Sequence, residues 1–184
     1  MDHYLDIRVL PDPEFSEEML MAALFAKLHR ALGARGAGDI GISFPKVDYK
    51  PGDTLRLHGS ETALMALEAT GWRKGLMDYC QCAAIAAIPE VKGWRTVARI
   101  QPKSNPERLL RRSVNKGWIT AEEAAQRLVN CPEKRIDLPY LHIKSLSSKQ
   151  QFRLFISHGE LLPHPVAGTF SSYGLSATAT IPWF

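Results

Sequence analysis

A switch of hydrophobic period, made twice within the first 93 residues, restricts what this chain can fold into more than any other feature. Tyr4 to Leu10 alternates, with Leu5, Ile7 and Val9 on one face and Tyr4, Asp6 and Arg8 on the other, which is the pattern of a half-buried strand. Pro11 and Pro13 end it. Ser16 then caps a helix whose first turn holds Glu17 and Glu18 and whose apolar face is Leu20, Met21, Leu24, Phe25, Leu28, Ala31 and Leu32; Gly33 is expected to stop it. Ile40, Ile42 and Phe44 alternate as a second strand, and Leu55 and Leu57 mark a third. Ser60 caps a second helix with Leu64 and Leu67 inward, and the apolar segment Ile85 to Ile88 reads as a last strand. The order β-α-β-β-α-β over residues 1–93 predicts a ferredoxin-like (RRM-like) domain of the α+β class, a frame shared by many RNA-binding folds.

Residues 94–184 form a second expected domain, a C-terminal α/β part. It starts with a strand through Val97 and Ile100, followed by a helix with Asn105 as its cap, Pro106 at the first helical position and Glu107 at the positive end of the dipole. At 3.6 residues per turn Arg108, Arg111, Arg112 and Asn115 share one face, Leu109, Leu110 and Val114 fall opposite, and Gly117 ends the helix. Thr120-x-x-Glu123 is a capping box that begins another helix. Three later strands are expected at Tyr140–Ile143, Phe152–Ile156 and near Phe170–Leu175.

Charge is unevenly placed. Residues 95–116 hold seven Lys and Arg against Glu107 alone, a local excess of six positive charges, whereas the whole chain is only +4 and the remainder is therefore net negative. Such a patch implies a specific polyanion, although a solvated amphipathic helix fits the same residues. No run of about eighteen apolar residues and no basic leader with an apolar core is present, so a soluble cytoplasmic protein without a membrane partner is expected. The cysteines, Cys80, Cys82 and Cys131, lack paired Cys-x-x-Cys spacing and read as buried free thiols.

Few other motifs carry chemistry. Gly36-Ala-Gly-Asp-Ile-Gly41 follows a helix and leads into a strand, the reverse of the dinucleotide context. The pairs Glu17/Glu18 and Glu122/Glu123 sit in helix first turns, where the dipole accounts for them. No metal-ligand spacing is found, so no metal and no cofactor is expected, and any nuclease chemistry should be metal-free. Metal-free RNA cleavage uses the ribose 2′-OH as nucleophile and needs a proton carrier. His29, about 40° beyond Phe25 around the first helix, lies at the edge of the apolar stripe near the helix C-terminus. It is a candidate for that role, and also an ordinary helix-edge histidine.

The chain resembles the CRISPR-associated endoribonuclease of the type I-F systems, which processes precursor CRISPR RNA. The blocks that carry the resemblance run end to end: Met1-Asp-His-Tyr-Leu-Asp-Ile-Arg8, Leu24-Phe-Ala-Lys-Leu-His29, Ile42-Ser-Phe-Pro45, Arg99-Ile-Gln-Pro-Lys-Ser-Asn-Pro-Glu-Arg108, Phe152-Arg-Leu-Phe-Ile156, His158-Gly159, Tyr173-Gly-Leu-Ser176 and Pro182-Trp-Phe184. The resemblance implies metal-independent cleavage at the 3′ base of the repeat stem-loop by 2′-OH attack, leaving a 2′,3′-cyclic phosphate. It also implies that the protein stays on the mature CRISPR RNA hairpin beside other subunits of a type I-F surveillance complex.

Carried over by residue, the resemblance implies that His29 is catalytic as base, acid or both, that Ser145 holds the ribose, with Ser147 and Ser148 as alternatives, and that Tyr173 helps place the histidine. It implies base readout by Arg99 and Gln101 near the bottom of the stem, stacking of Phe152 on the terminal pair, and docking of Arg108, Arg111 and Arg112 on the stem-loop. A deep, narrow A-form groove excludes a helix, so such docking requires a short hairpin whose groove opens near the loop. Where the family often continues with arginines, this chain has Ser113, Asn115 and Lys116. The competing reading is a non-catalytic hairpin RNA-binding subunit, and His29 discriminates between the two.

Overall fold

The computed structural model describes residues 1–101, 106–129, 137–144 and 150–184. The first sheet is built from β1 (His3–Val9), β2 (Gly41–Ser43), β3 (Thr54–Gly59), β4 (Cys80–Cys82) and β5 (Ala86–Ala87). Its order is β2-β3-β1-β4, with β5 also on β1, and every pairing is antiparallel. Helices α1 (Glu17–Arg35) and α2 (Glu61–Glu68) supply the ferredoxin-like connections. The second sheet comprises β6 (Gly93–Ile100), β7 (Tyr140–Lys144), β8 (Gln151–His158) and β9 (Ser176–Trp183) in the antiparallel order β7-β8-β6-β9.

The first sheet draws only on residues 3–87 and the second only on 93–183. Two compact units are present, one of Met1–Ile100 with Leu138–Phe184, which contains both sheets, and one of Gln101–Asp137. The smaller unit holds α3 (Pro106–Asn115) and α4 (Ala121–Val129).

Local chemistry explains the elements. Ser16 Oγ accepts from the Met19 amide at 3.3 Å and Ser60 Oγ from the Ala63 amide at 3.2 Å, so both expected caps form. Leu5, Ile7 and Val9 of β1 and Leu55 and Leu57 of β3 are buried with Leu24, Phe25 and Leu28 of α1 and Leu64 of α2. On the opposite face Asp6 and Arg56 are register partners, joined by two hydrogen bonds of 2.7 and 2.8 Å, and the guanidinium lies 4.1 Å from the ring centre of the C-terminal Phe184.

His58, fully buried on that face, is 2.8 Å from Ser43 Oγ, and desolvation pushes its pKa down to about 3. Burial and the nearby Arg95 likewise hold His158 at about 4, where its Nε2 accepts from the Phe44 amide at 3.5 Å. Both imidazoles are thus neutral in the folded protein.

Four expectations change. Helix α1 passes through Gly33 to Arg35 and is capped instead by Gly36, whose φ of 64° is left-handed and whose amide reaches Leu32 O at 3.0 Å; Gly33 has no such role. The fourth edge is split along β1, Cys80–Cys82 pairing with Ile7–Val9 and Ala86–Ala87 with His3–Tyr4, rather than one strand over Ile85–Ile88. The last strand is Ser176–Trp183; the segment Phe170–Leu175 turns instead, because Gly174 takes a φ of 69°. Leu109 is 47% exposed at the margin of α3, and only Leu110 and Val114 of the three apolar positions are half-buried. Cys80 and Cys82 are free, with burial raising both thiols, Cys82 to about 11; Cys131 lies outside the described residues.

Candidate active site

Helix α1 carries His29, half-buried and one turn beyond the fully buried Phe25. Its Nδ1 is 3.0 Å from the carbonyl oxygen of Ser172. A carbonyl only accepts, so Nδ1–H donates, and in the neutral ring the lone pair is left on Nε2. The backbone of another segment thereby selects the tautomer.

That segment is a tight turn. The Gly174 amide donates to Ser171 O at 2.8 Å and the Ser171 amide to Leu175 O at 3.0 Å, while Gly174 O accepts the Ile42 amide of β2 at 2.9 Å. A Cβ at Gly174 would stand 2.6 Å from Ile42 Cγ2, on a backbone with φ +69°. Glycine is required on both counts.

The turn delivers Tyr173, whose ring stacks on His29 with centroids 3.8 Å apart and planes 1° from parallel. The same ring is 6.0 Å from Phe25 at 17°, so the stack rests on the core. Arg99, near the end of β6, brings its guanidinium 5.6 Å from the Tyr173 centroid and 5.3 Å from that of Phe152 on β8. Its Nε is buried and meets no acceptor among the described residues.

The structure therefore gathers His29, Tyr173, Arg99 and Phe152 into one cluster. Gln101 follows β6 as an exposed residue. Ser145, with Ser147 and Ser148, lies outside the described residues. Phe25 as backing, Gly174 as the pivot of the turn and the Ser172 carbonyl were not singled out from sequence. Gly174 stands in the block Tyr173-Gly-Leu-Ser176 and carried a signal; a backbone carbonyl carries none.

The smaller unit presents the arginines. Arg108, Arg111 and Arg112 are exposed on α3, and α4 packs against α3. The capping box of α4 is reciprocal, with the Thr120 amide 3.0 Å from Glu123 Oε2 and the Glu123 amide 3.1 Å from Thr120 Oγ1. Among the described residues no group of three or more His, Cys, Asp or Glu is placed to hold a metal ion, and no helix is long and apolar enough to cross a membrane.

Comparison with known proteins places the chain in a family. The family model described as CRISPR-associated protein (Cas_Csy4) matches residues 4–184. The chain is 71% identical over 184 residues, covering all of both chains, to the CRISPR-associated endonuclease Cas6/Csy4 of Escherichia coli (strain UTI89 / UPEC). It is 46% identical over 187 aligned residues, again across both chains, to the protein of the same name from Pseudomonas aeruginosa (strain UCBPP-PA14). With a family match over residues 4–184 and relatives this similar, the chain belongs to the Cas_Csy4 family of CRISPR-associated proteins.

Proposed function

We propose that this protein is an endoribonuclease that cuts precursor CRISPR RNA at the 3′ base of the repeat stem-loop, without a metal ion, and keeps the mature hairpin within a type I-F surveillance complex. The relatives' name, CRISPR-associated endonuclease, supports nuclease activity. One observation carries the mechanism: His29 is held by Ser172 O and the Tyr173 ring with Nε2 as its basic nitrogen.

In the reaction the ribose 2′-OH loses its proton, O2′ attacks the adjacent phosphorus, and the P–O5′ bond breaks. The products are a 2′,3′-cyclic phosphate and a 5′-OH, the latter formed when the leaving oxygen takes up a proton. No net water or electron is consumed. His29 Nε2 takes the proton from O2′ or returns one to O5′; the fixed ring plane supplies the orientation that proton transfer requires. Ser145 holds the ribose. Tyr173 is a positioning residue, since it acts by supporting the imidazole.

Arg99 reads a guanine edge bidentately through its guanidinium, and Gln101 reads a neighbouring base. Phe152 stacks on the terminal pair of the stem. Arg108, Arg111 and Arg112 contact backbone phosphates.

A synthetic hairpin bearing the CRISPR repeat of the source genome tests this in EDTA. Wild-type protein should cleave it once, and the 2′-deoxy analogue at the cut site should bind intact. His29→Ala should bind but slow cleavage by about 10²–10⁴-fold. Cleavage of the 2′-deoxy RNA excludes intramolecular attack, and unchanged activity of His29→Ala excludes the role given to that residue. Binding without cleavage by the wild type instead establishes the non-catalytic hairpin-binding reading.

A further inference from the structure

Trp118 is 70% exposed, in the turn between α3 and α4. Its place there follows from how α3 ends. Gly117, with φ 69°, donates its amide to Val114 O at 2.9 Å, and the Trp118 amide donates to Ser113 O at 3.0 Å. Together these form a Schellman motif, in which the residue after the glycine ordinarily packs its side chain on the apolar residue one turn back. Here that position is Ser113, preceded by Arg112. The indole is left with no apolar helix partner at those positions, yet the turn that carries it is anchored by two hydrogen bonds.

Charge says what such a ring would meet. The Lys116 amide still donates to Arg112 O at 3.1 Å, so Lys116 sits one helical turn beyond Arg112, as Arg112 does beyond Arg108. The Lys116 ammonium lies 4.5 Å from the Trp118 ring centre. The indole therefore ends a row of cations spaced along one edge of α3. A polyanion that follows this row reaches an aromatic face at its end, the combination by which proteins hold unpaired nucleotides.

We propose that Trp118 is a stacking platform for an unpaired nucleobase in the loop of the hairpin, with Lys116 on the adjoining phosphate. This rests on the RNA-binding reading given above. A closed stem exposes base faces only at its open end and in its loop, and Phe152 is assigned to the open end. A helix enters the groove of a short RNA hairpin only where it widens near the loop, which places the end of the arginine row there. A protein partner is the competing occupant of an exposed tryptophan, and the row of cations favours RNA over it.

The test is a binding titration with the repeat hairpin, made non-cleavable by 2′-deoxy substitution, and with the same hairpin carrying abasic loop nucleotides. Trp118→Ala should weaken binding to the natural loop by about 5- to 150-fold, the effect of losing one stacked base, and Trp118→Phe should keep most of the affinity. On the abasic loop all three proteins should bind alike. Equal losses on both hairpins, or no loss on the natural loop, overturn the inference. So does unchanged RNA affinity with impaired capture of a protein subunit of the complex. If the wild type fails to bind the repeat hairpin at all, the proposed function falls first.

Discussion

The imidazole of His29 lies flat on the phenol ring of Tyr173, with centroids 3.8 Å apart and planes 1° from parallel. One ring face and one carbonyl, Ser172 O, thus define both the plane and the tautomer of the histidine. The hydroxyl of Tyr173 takes no part in either contact. Tyr173→Phe should therefore cleave at nearly the wild-type rate, whereas Tyr173→Leu should slow cleavage by up to about 10²-fold through misplacement of the imidazole. Single-turnover rates at saturating hairpin separate this from weaker binding. A Leu variant as fast as wild type shows that the stack does not orient His29.

Gly174 is the second point at which the turn can be disturbed. Alanine there would be forced into a left-handed backbone with its Cβ 2.6 Å from Ile42 Cγ2. Gly174→Ala should cost about 2 kcal/mol or more in urea unfolding and reduce cleavage as well, since Ser172 O and Tyr173 ride on the same turn. Unimpaired cleavage in a destabilised variant would mean that the turn can shift without moving His29.

One buried histidine, His58, and one half-buried, His158, make stability depend on pH. His58 and His158 are held at about 3 and about 4, below their ordinary value near 6.5, so the unfolded chain binds protons that the folded protein refuses. Their contribution is fully present above pH 6.5 and declines as pH falls through that value towards 4 and 3. Unfolding free energy should drop by about 1.4 kcal/mol per pH unit for each histidine once the pH is well below 6.5. Between pH 6 and 5 most carboxylates of the unfolded chain are still ionised, so this window isolates the histidines. His158→Gln, which keeps an acceptor for the Phe44 amide, should shallow the slope. A flat profile between pH 7 and 5 contradicts the neutral, desolvated assignment of both rings.

For α3 the expected outcome is a change in salt dependence. Arg112→Ala should lower hairpin affinity and reduce the log–log salt slope by roughly 0.7–0.9, the signature of one released phosphate contact. Leu109→Ala should be close to neutral for stability, because Leu109 is 47% exposed, while Leu110→Ala should destabilise the α3–α4 unit. An unchanged slope for Arg112→Ala identifies the stripe as a solvated face.

Local physical chemistry made much of this legible in advance. The alternation of Leu5, Ile7 and Val9, the caps Ser16 and Ser60, and the capping box Thr120–Glu123 all depend on neighbours a few residues away, and all form where the pattern placed them. His29 at the edge of its apolar stripe was visible for the same reason, as helical spacing alone sets its angle to Phe25. Where a segment obeys its distant contacts, local pattern misleads. Gly33 reads as a stop yet lies within α1, and Phe170–Leu175 reads as a strand yet turns at Gly174 to pin its carbonyl on β2.

What only tertiary structure decided is the chemistry of the cluster. His29 and Ser172 are 143 residues apart, and the choice of Nδ1 as donor rests on a backbone carbonyl that no side-chain type announces. Tyr173, Arg99 and Phe152 meet because the turn after Phe170 folds onto α1 while β6 and β8 pair. Sequence spacing determines which face of an element a residue occupies; only packing between elements determines what that face meets, and proton transfer depends on the latter.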